Sequence, residues 1–314
     1  MIKRTIEIST TPAHVSIQHG QLLIRQRSTS EVASEPSVVL ARIPVEDVGI
    51  VMVDQRDTTF SLSALAEIAE HGGALCVCSQ DHLPTGMLLP LSSRHETVSR
   101  IRSQMNTGLP TKKRLWQQVV RAKILGQAKN LPSKSAVRSK LLVLRASVRS
   151  GDSTNVEAHA AKLYWGSWLG EGHDFRRAAD GQPPNNLLNY GYAVLRAAVA
   201  RAIVSAGLIP AIGIHHDNRS NEFCLADDLI EPLRPMVDRR VRELFLGGAS
   251  DVERAAKESL LGLLTAPVRL SGSGDGSRGP LMVALHRYIA SFVACLPKIS
   301  HGMRLAIPSS VSTE

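Results

Sequence analysis

Apolar residues in the first 90 positions come in short, β-branched runs at 2–8, 13–17, 22–24, 38–43 and 48–53. Polar or Pro/Ser-rich stretches such as Ser34-Glu35-Pro36-Ser37 separate them, and that texture predicts strands joined by turns. One helix interrupts. Leu62, Leu65, Ala66 and Ile68 fall at helical spacing behind a candidate cap at Ser61 or Ser63, and His71-Gly72-Gly73 stops the run. A buried strand over 74–78 follows. From Ser92 onward the period lengthens. Leu187, Leu188, Gly191, Leu195, Ala198, Val199 and Ile203 lie along one broad helix, with Asn185 or Asn186 as its cap and Gly207 as its stop. Residues 252–265 and 281–296 also read as helices, separated by a glycine-rich loop at 271–277. The pattern predicts an α+β protein: a small β-rich, sandwich-like domain over 1–90 and a larger all-α domain over 91–314.

Charge divides the chain at the same place. The whole carries +9, but residues 1–90 hold 6 Lys/Arg against 10 Asp/Glu, and the remainder holds 31 against 18. Between Thr97 and Gly151 there is no acidic residue, while thirteen Lys and Arg occupy that span. A solvated helix face ordinarily mixes signs, because like charges one turn apart repel. An all-cationic stretch calls for a polyanion, and the phosphate backbone of nucleic acid is the commonest. Four scattered cysteines (Cys76, Cys78, Cys224 and Cys295) argue against a disulfide scaffold and against a zinc finger. The first eight residues lack the apolar core of a signal peptide, and no apolar run approaches the ~20 residues of a membrane span. The expected location is the cytoplasm, with no membrane partner.

Three segments carry candidate chemistry. Glu157 lies in Asn155-Val156-Glu157-Ala158-His159. It reads either as half of a Thr154–Glu157 capping box or as a metal ligand projecting from a first helical turn. His215-His216-Asp217 begins in a loop after the Gly207–Pro210 helix stop. Asp227, Asp228 and Glu231 are spaced to share a helix face, and Pro232 forces a helix start or a kink beside them. The aspartates could simply favour a helix N-terminus. Glu157, His216 and Glu231, with Asp228 in support, would supply hard oxygens and one imidazole. That donor set suits Mg²⁺ or Mn²⁺ and phosphoryl transfer.

At these residues the sequence resembles the CRISPR-associated integrase family of the spacer-acquisition complex (the Cas-one family), in its type II form. The resemblance is carried by 155–161, by Leu188-Asn189-Tyr190-Gly191-Tyr192, by 207–216 ending on His216, and by 223–235 around Asp228 and Glu231. Four such segments in this order are highly specific. The resemblance implies Glu157, His216 and Glu231 as catalytic metal ligands. It implies a metal-dependent DNA endonuclease and integrase that inserts short captured DNA into a CRISPR repeat by attack of a 3′-OH on a phosphodiester. It also implies double-stranded DNA, a homodimer and the small Cas-two protein as partners, with room for other type II adaptation proteins. The β-rich domain would then carry dimer and partner contacts. Lys112, Lys113, Arg114, Arg121, Lys123, Lys134 and Arg138 of the basic tract would hold DNA, with Arg176, Arg177, Arg196 and Arg219. Two other readings compete: a His-Asp phosphohydrolase using His216-Asp217 with His159 and Asp238, and a non-catalytic nucleic-acid scaffold.

Overall fold

Alternation along the first 90 residues becomes two sheets around one core. The computed structural model describes residues 3–27, 38–80, 84–91, 96–170, 172–178, 182–269, 278–296 and 304–310; the turn expected at 34–37 and the loop expected at 271–277 lie outside them. The chain divides into two units, Met1–Ser92 and Ser93–Glu314. The first runs β1 (Arg4–Ile8), β2 (Ala13–Gln18), β3 (Gln21–Gln26), β4 (Val39–Pro44), β5 (Val48–Val53), β6 (Thr59–Phe60), α1 (Leu62–Glu70), β7 (Ala74–Cys78) and β8 (Pro84–Leu88). One sheet has the order β1-β5-β7-β8 and the other β4-β3-β2-β6. β1, β5 and β7 are parallel, and β8 returns antiparallel. Ile6, Val51 and Leu75 of the first sheet meet Val15, Leu22 and Ile24 of the second in one core, closed by Ala64 and Ile68 of α1. All six residues of β5 are buried. That is why this strand reads as a continuous apolar run, as strands covered on both faces do. Of the two candidate caps for α1, Ser61 serves: its hydroxyl accepts the Ala64 N–H at 3.2 Å.

The second unit contains α2 (Thr97–Met105), α3 (Leu109–Lys129), α4 (Ala136–Ser147), α5 (Val156–Trp165), α6 (Asn185–Ser205), α7 (Cys224–Ile230), α8 (Arg234–Leu246) and α9 (Arg254–Leu261). Then come β9 (Pro267–Arg269), β10 (Arg278–Pro280), α10 (Leu281–Cys295) and β11 (Ser309–Ser310). It is helical but not all-α, because β10-β9-β11 form a small sheet. Strands of two or three residues are too short to show a period in sequence. α9 is shorter than the expected 252–265 and tightens into a 3₁₀ turn at Gly262–Leu264.

α6 is the central helix. By length and mean hydropathy it would suffice to cross a membrane, contrary to the expectation that no such run exists, yet 78% of that window is buried within the protein. Its start also differs from expectation. Pro184 stands at the N-cap position, and Asn186 serves the first turn from inside the helix, its Oδ1 accepting the Leu187 N–H at 2.8 Å. Asn185 instead accepts the Ala178 N–H at 3.0 Å and donates to the Arg176 carbonyl at 3.1 Å, tying the 176–178 strap to the helix start. Asn186 donates to the Ser250 carbonyl. Gly207, at φ +76°, does end the helix: the N–H of Leu208 reaches back to Ile203 O at 3.1 Å in a left-handed C-terminal turn.

α6 approaches α8 most closely at Gly191, where an added Cβ would stand 2.4 Å from Val237 Cγ1. Val237 is β-branched and fully buried, so it has no free rotamer to retreat into. Gly191→Ala is expected to destabilise the protein by about 1–3 kcal/mol, the usual cost of overpacking. Urea unfolding followed by far-UV circular dichroism measures it.

Candidate active site

α3 crosses the middle of the helical unit and presents Trp116, Val119, Val120, Lys123 and Gln127 inward. Trp116, Val119 and Val120 are fully buried. Lys123 sits on the same stripe, and a buried ammonium needs paired charge. It finds two carboxylates. Its Nζ lies 2.6 Å from Glu157 Oε1 and 2.5 Å from Glu231 Oε2. Burial alone would lower the Lys123 pKa; Glu231 and Glu157 outweigh it and hold the group above its ordinary value.

Glu157 is free to make that contact because it does not cap its own helix. The Thr154–Glu157 capping box, one of the two readings of this segment, does not form. Asp152 takes the role from further back, its two oxygens accepting the N–H groups of Val156 and Glu157 at 2.9 Å each. Gly151, Asp152 and Asn155 adopt left-handed backbone conformations that fold the chain back for this.

Glu231 lies at the elbow between α7 and α8, where Pro232 forbids a continuous helix. It is buried, and Arg234 Nη2 holds its other oxygen at 3.1 Å. Burial would raise its pKa, but Lys123 and Arg234 bring it below the usual carboxylate value. Arg234 in turn lies over the Tyr192 ring, 4.8 Å from its centroid.

Asp228 is fully buried and supports the histidine turn. Its Oδ2 accepts the N–H groups of Ile214 (2.7 Å) and His215 (3.0 Å), while Oδ1 accepts that of His216 (3.2 Å). The same Oδ1 lies 2.6 Å from His216 Nδ1. A carboxylate at that nitrogen holds a proton there, so in the neutral ring Nε2 is the lone-pair donor. This hydrogen bond raises the His216 pKa above its ordinary value, against partial burial. His215 is held differently: its ring stacks on Trp116 with centroids 4.0 Å apart and planes 4° from parallel. Of the pair, His216 is the imidazole that a carboxylate orients.

Gly213 permits this turn. A Cβ there would stand 2.3 Å from the His216 carbonyl oxygen and 2.9 Å from Asp228 Oδ2. Gly213→Ala must therefore push the turn off Asp228. Expected are a loss of about 2 kcal/mol of stability, within the range for overpacking a close contact, and a shift of the His216 resonances in a ¹H–¹⁵N spectrum.

The remaining predicted positions fall outside this cluster. Lys113, Arg114, Lys134, Arg176 and Arg219 are exposed, and Lys112 is partly so. Arg121 is committed to the Val148 carbonyl at 2.8 Å, and Arg177 to Asn185 and Asn189 at 2.9 and 2.6 Å. Arg138 reaches the Leu131 carbonyl at 3.4 Å. Arg196 pairs with Asp227 at 2.7 Å. A cavity of about 620 Å³ lined by Arg121, Lys129, Arg145 and Arg304 adds Arg304, which sequence reasoning did not single out. Asp238 and His159 do not assemble into a His-Asp site. His159 is exposed on α5, whereas Asp238 is buried on α8, accepts the Tyr192 hydroxyl at 2.5 Å, and is pushed up to about 7 by burial.

Among the described residues no three His, Cys, Asp or Glu side chains already stand together as a metal-holding group. The donors nonetheless suit a hard divalent cation. Two carboxylates from distant segments converge on one positive charge, and His216, whose Nδ1 is taken by Asp228, keeps Nε2 as the nitrogen that could serve a metal when the ring is neutral.

The profile of the family described as "CRISPR associated protein Cas1" matches residues 6–266. A CRISPR-associated endonuclease Cas1 of Neisseria meningitidis serogroup C is 36% identical over 284 residues, covering 89% of this chain and 88% of that protein. A solved casposase bound to integration product is similar in fold, with TM-score 0.76 at 18% identity, covering 98% of this chain and 94% of that one. A chain of a partial Cas6-RT-Cas1–Cas2 complex is similar with TM-score 0.57 at 16% identity, covering 94% and 95%.

Proposed function

We propose, from the premise that this chain belongs to the CRISPR-associated Cas1 family, that its helical unit joins 3′-OH ends of short captured DNA to a CRISPR repeat. Membership makes the chain a Cas1-type enzyme of spacer acquisition. The strand-transfer chemistry and the ligand set are our reading. The observation that carries it is the convergence of Glu157 and Glu231, 74 positions apart in sequence, on a single cation at 2.6 and 2.5 Å.

In this reading Glu157, Glu231 and the Nε2 of His216 would hold Mg²⁺ or Mn²⁺, and a metal held there would supply Lewis acidity toward the scissile phosphodiester and its leaving oxygen. Asp228 fixes the imidazole, and Arg234 keeps Glu231 ionised and aimed. The exposed cations of α3 and the Arg176 strap bind phosphate backbone. The Cas1–Cas2 assembly named for a structurally similar chain supports a Cas2 partner. Double-stranded DNA, a homodimer built through the β-rich unit, further type II adaptation proteins and a cytoplasmic location belong to the same proposal.

The test combines a short duplex bearing 3′-OH ends, a supercoiled repeat-containing plasmid, Cas2 and Mn²⁺, with and without EDTA. Joined product that requires the metal and disappears in His216→Ala is the expected result. Salt-sensitive DNA binding with no covalent product in any condition would favour the scaffold reading.

A further inference from the structure

Lys123 has no role in the ligand set, yet it occupies the centre of it. Its ammonium touches both acidic side chains, and its own side chain is only 13% exposed. Three of the four carboxylate oxygens already face a cation: Glu157 Oε1 and Glu231 Oε2 face Lys123, and Glu231 Oε1 faces Arg234, so both oxygens of Glu231 are taken. A divalent cation that takes both glutamates must displace one of these partners. Arg234 is the poorer candidate, because its guanidinium also lies over the Tyr192 ring. Lys123 is a point charge on a flexible four-carbon stem, free to swing while its helix stays fixed.

We infer that Lys123 is a built-in placeholder for the metal, holding Glu157 and Glu231 together in the metal-free protein and leaving them when the divalent cation binds. The inference rests on the reading of Glu157 and Glu231 as metal ligands. Its physical basis is charge. Without any cation, two carboxylates brought to one partly buried point would repel and splay. With both an ammonium and a dication there, like charges would crowd the same oxygens. With Arg234 fixed on Glu231 Oε1, one further cation at a time satisfies the pair. The device keeps the ligands near their working positions before metal arrives, at the cost of competition for the seat.

Two measurements test it on the full-length protein. The first is Mn²⁺ affinity by titration calorimetry for the wild type, Lys123→Met and Glu157→Gln. Removing the competitor is expected to tighten Mn²⁺ binding by at least about tenfold, and Glu157→Gln to weaken it by as much. Equal or weaker binding by Lys123→Met, with wild-type binding still dependent on Glu157, overturns the placeholder and leaves the metal site standing. Absence of Mn²⁺ binding that depends on Glu157 overturns both. The second needs no variant, and so decides the matter even if Lys123→Met does not fold. Reductive methylation, mapped by peptide mass spectrometry, reads the accessibility of the Lys123 amine. Mg²⁺ is expected to raise its labelling several-fold while exposed Lys140 stays unchanged. Labelling of Lys123 that does not respond to saturating Mg²⁺ overturns the proposal.

Discussion

Glu157→Gln is expected to lower the rate of strand joining by about a thousandfold while leaving the protein folded. A carboxylate ligand contributes charge to the metal, and the metal contributes several kcal/mol of transition-state stabilisation. Losing about 4 kcal/mol of it corresponds to roughly three powers of ten. Stability should change little. The amide oxygen introduced by the substitution can still accept from Lys123, and Glu231 still pairs with that ammonium at 2.5 Å. The Glu157 side chain is also 22% exposed, so its ion pair is partly screened. Asp152 continues to cap α5 through its own two oxygens. Joined product from a radiolabelled duplex, compared under single-turnover conditions, checks the rate. Thermal unfolding of the same sample checks the fold. Joining within tenfold of wild type would remove Glu157 from the ligand set.

How much of this was legible beforehand differs between the fold and the site. The β-rich start, α1 and the helical remainder follow from apolar spacing, because each element buries enough side chains to impose its period. β6 and the three strands of the small sheet do not, since two or three residues cannot establish one. β8 begins at Pro84 and contains Gly86, both unfavourable in a strand interior, and it is tolerated as the outer strand of its sheet. In the site, the segments single out Glu157, His216 and Glu231, but sequence alone groups Lys123 with the DNA-binding cations around it. A signal was available. Trp116, Val120, Lys123 and Gln127 recur at helical spacing, so a charge at position 123 falls on the buried stripe of α3 and demands a buried counter-charge. The Thr154–Glu157 capping box failed for a local reason: left-handed residues at 151, 152 and 155 bring Asp152 to the orphan N–H groups first. Asp228 also reads differently in three dimensions. As a sequence position it is a reserve ligand; in the fold its lone pairs are taken up by backbone and imidazole.

Asp228→Ala is expected to be the most damaging substitution for stability, at about 4 kcal/mol. Asp228 is completely buried and accepts three backbone N–H groups besides the His216 ring. Hydrogen bonds to a charged acceptor contribute roughly 1.5–3 kcal/mol each, and donors orphaned in the interior add their desolvation cost. The turn at 213–216 is partly exposed, so it can open and rehydrate some of these groups, which keeps the total below the simple sum. Against a typical stability of about 5–15 kcal/mol, such a loss should lower Tm by roughly 10 °C. Asp228→Asn should fall between, because one face of the amide would present N–H groups to N–H groups. The loss should also depend on pH. The His216 pKa is raised in the folded protein by Asp228, so the stabilisation from that pair is fully present below the unfolded value of about 6.5. It fades as pH rises through the higher folded value. The gap between wild type and Asp228→Ala should therefore be widest below about pH 6.5 and narrow toward alkaline pH, leaving the backbone hydrogen bonds as the residue. Thermal unfolding of both proteins across that range measures it. A pH-independent gap would mean that His216 is not charged against Asp228 in the fold, and a gap under about 1 kcal/mol would mean that the turn does not depend on this carboxylate.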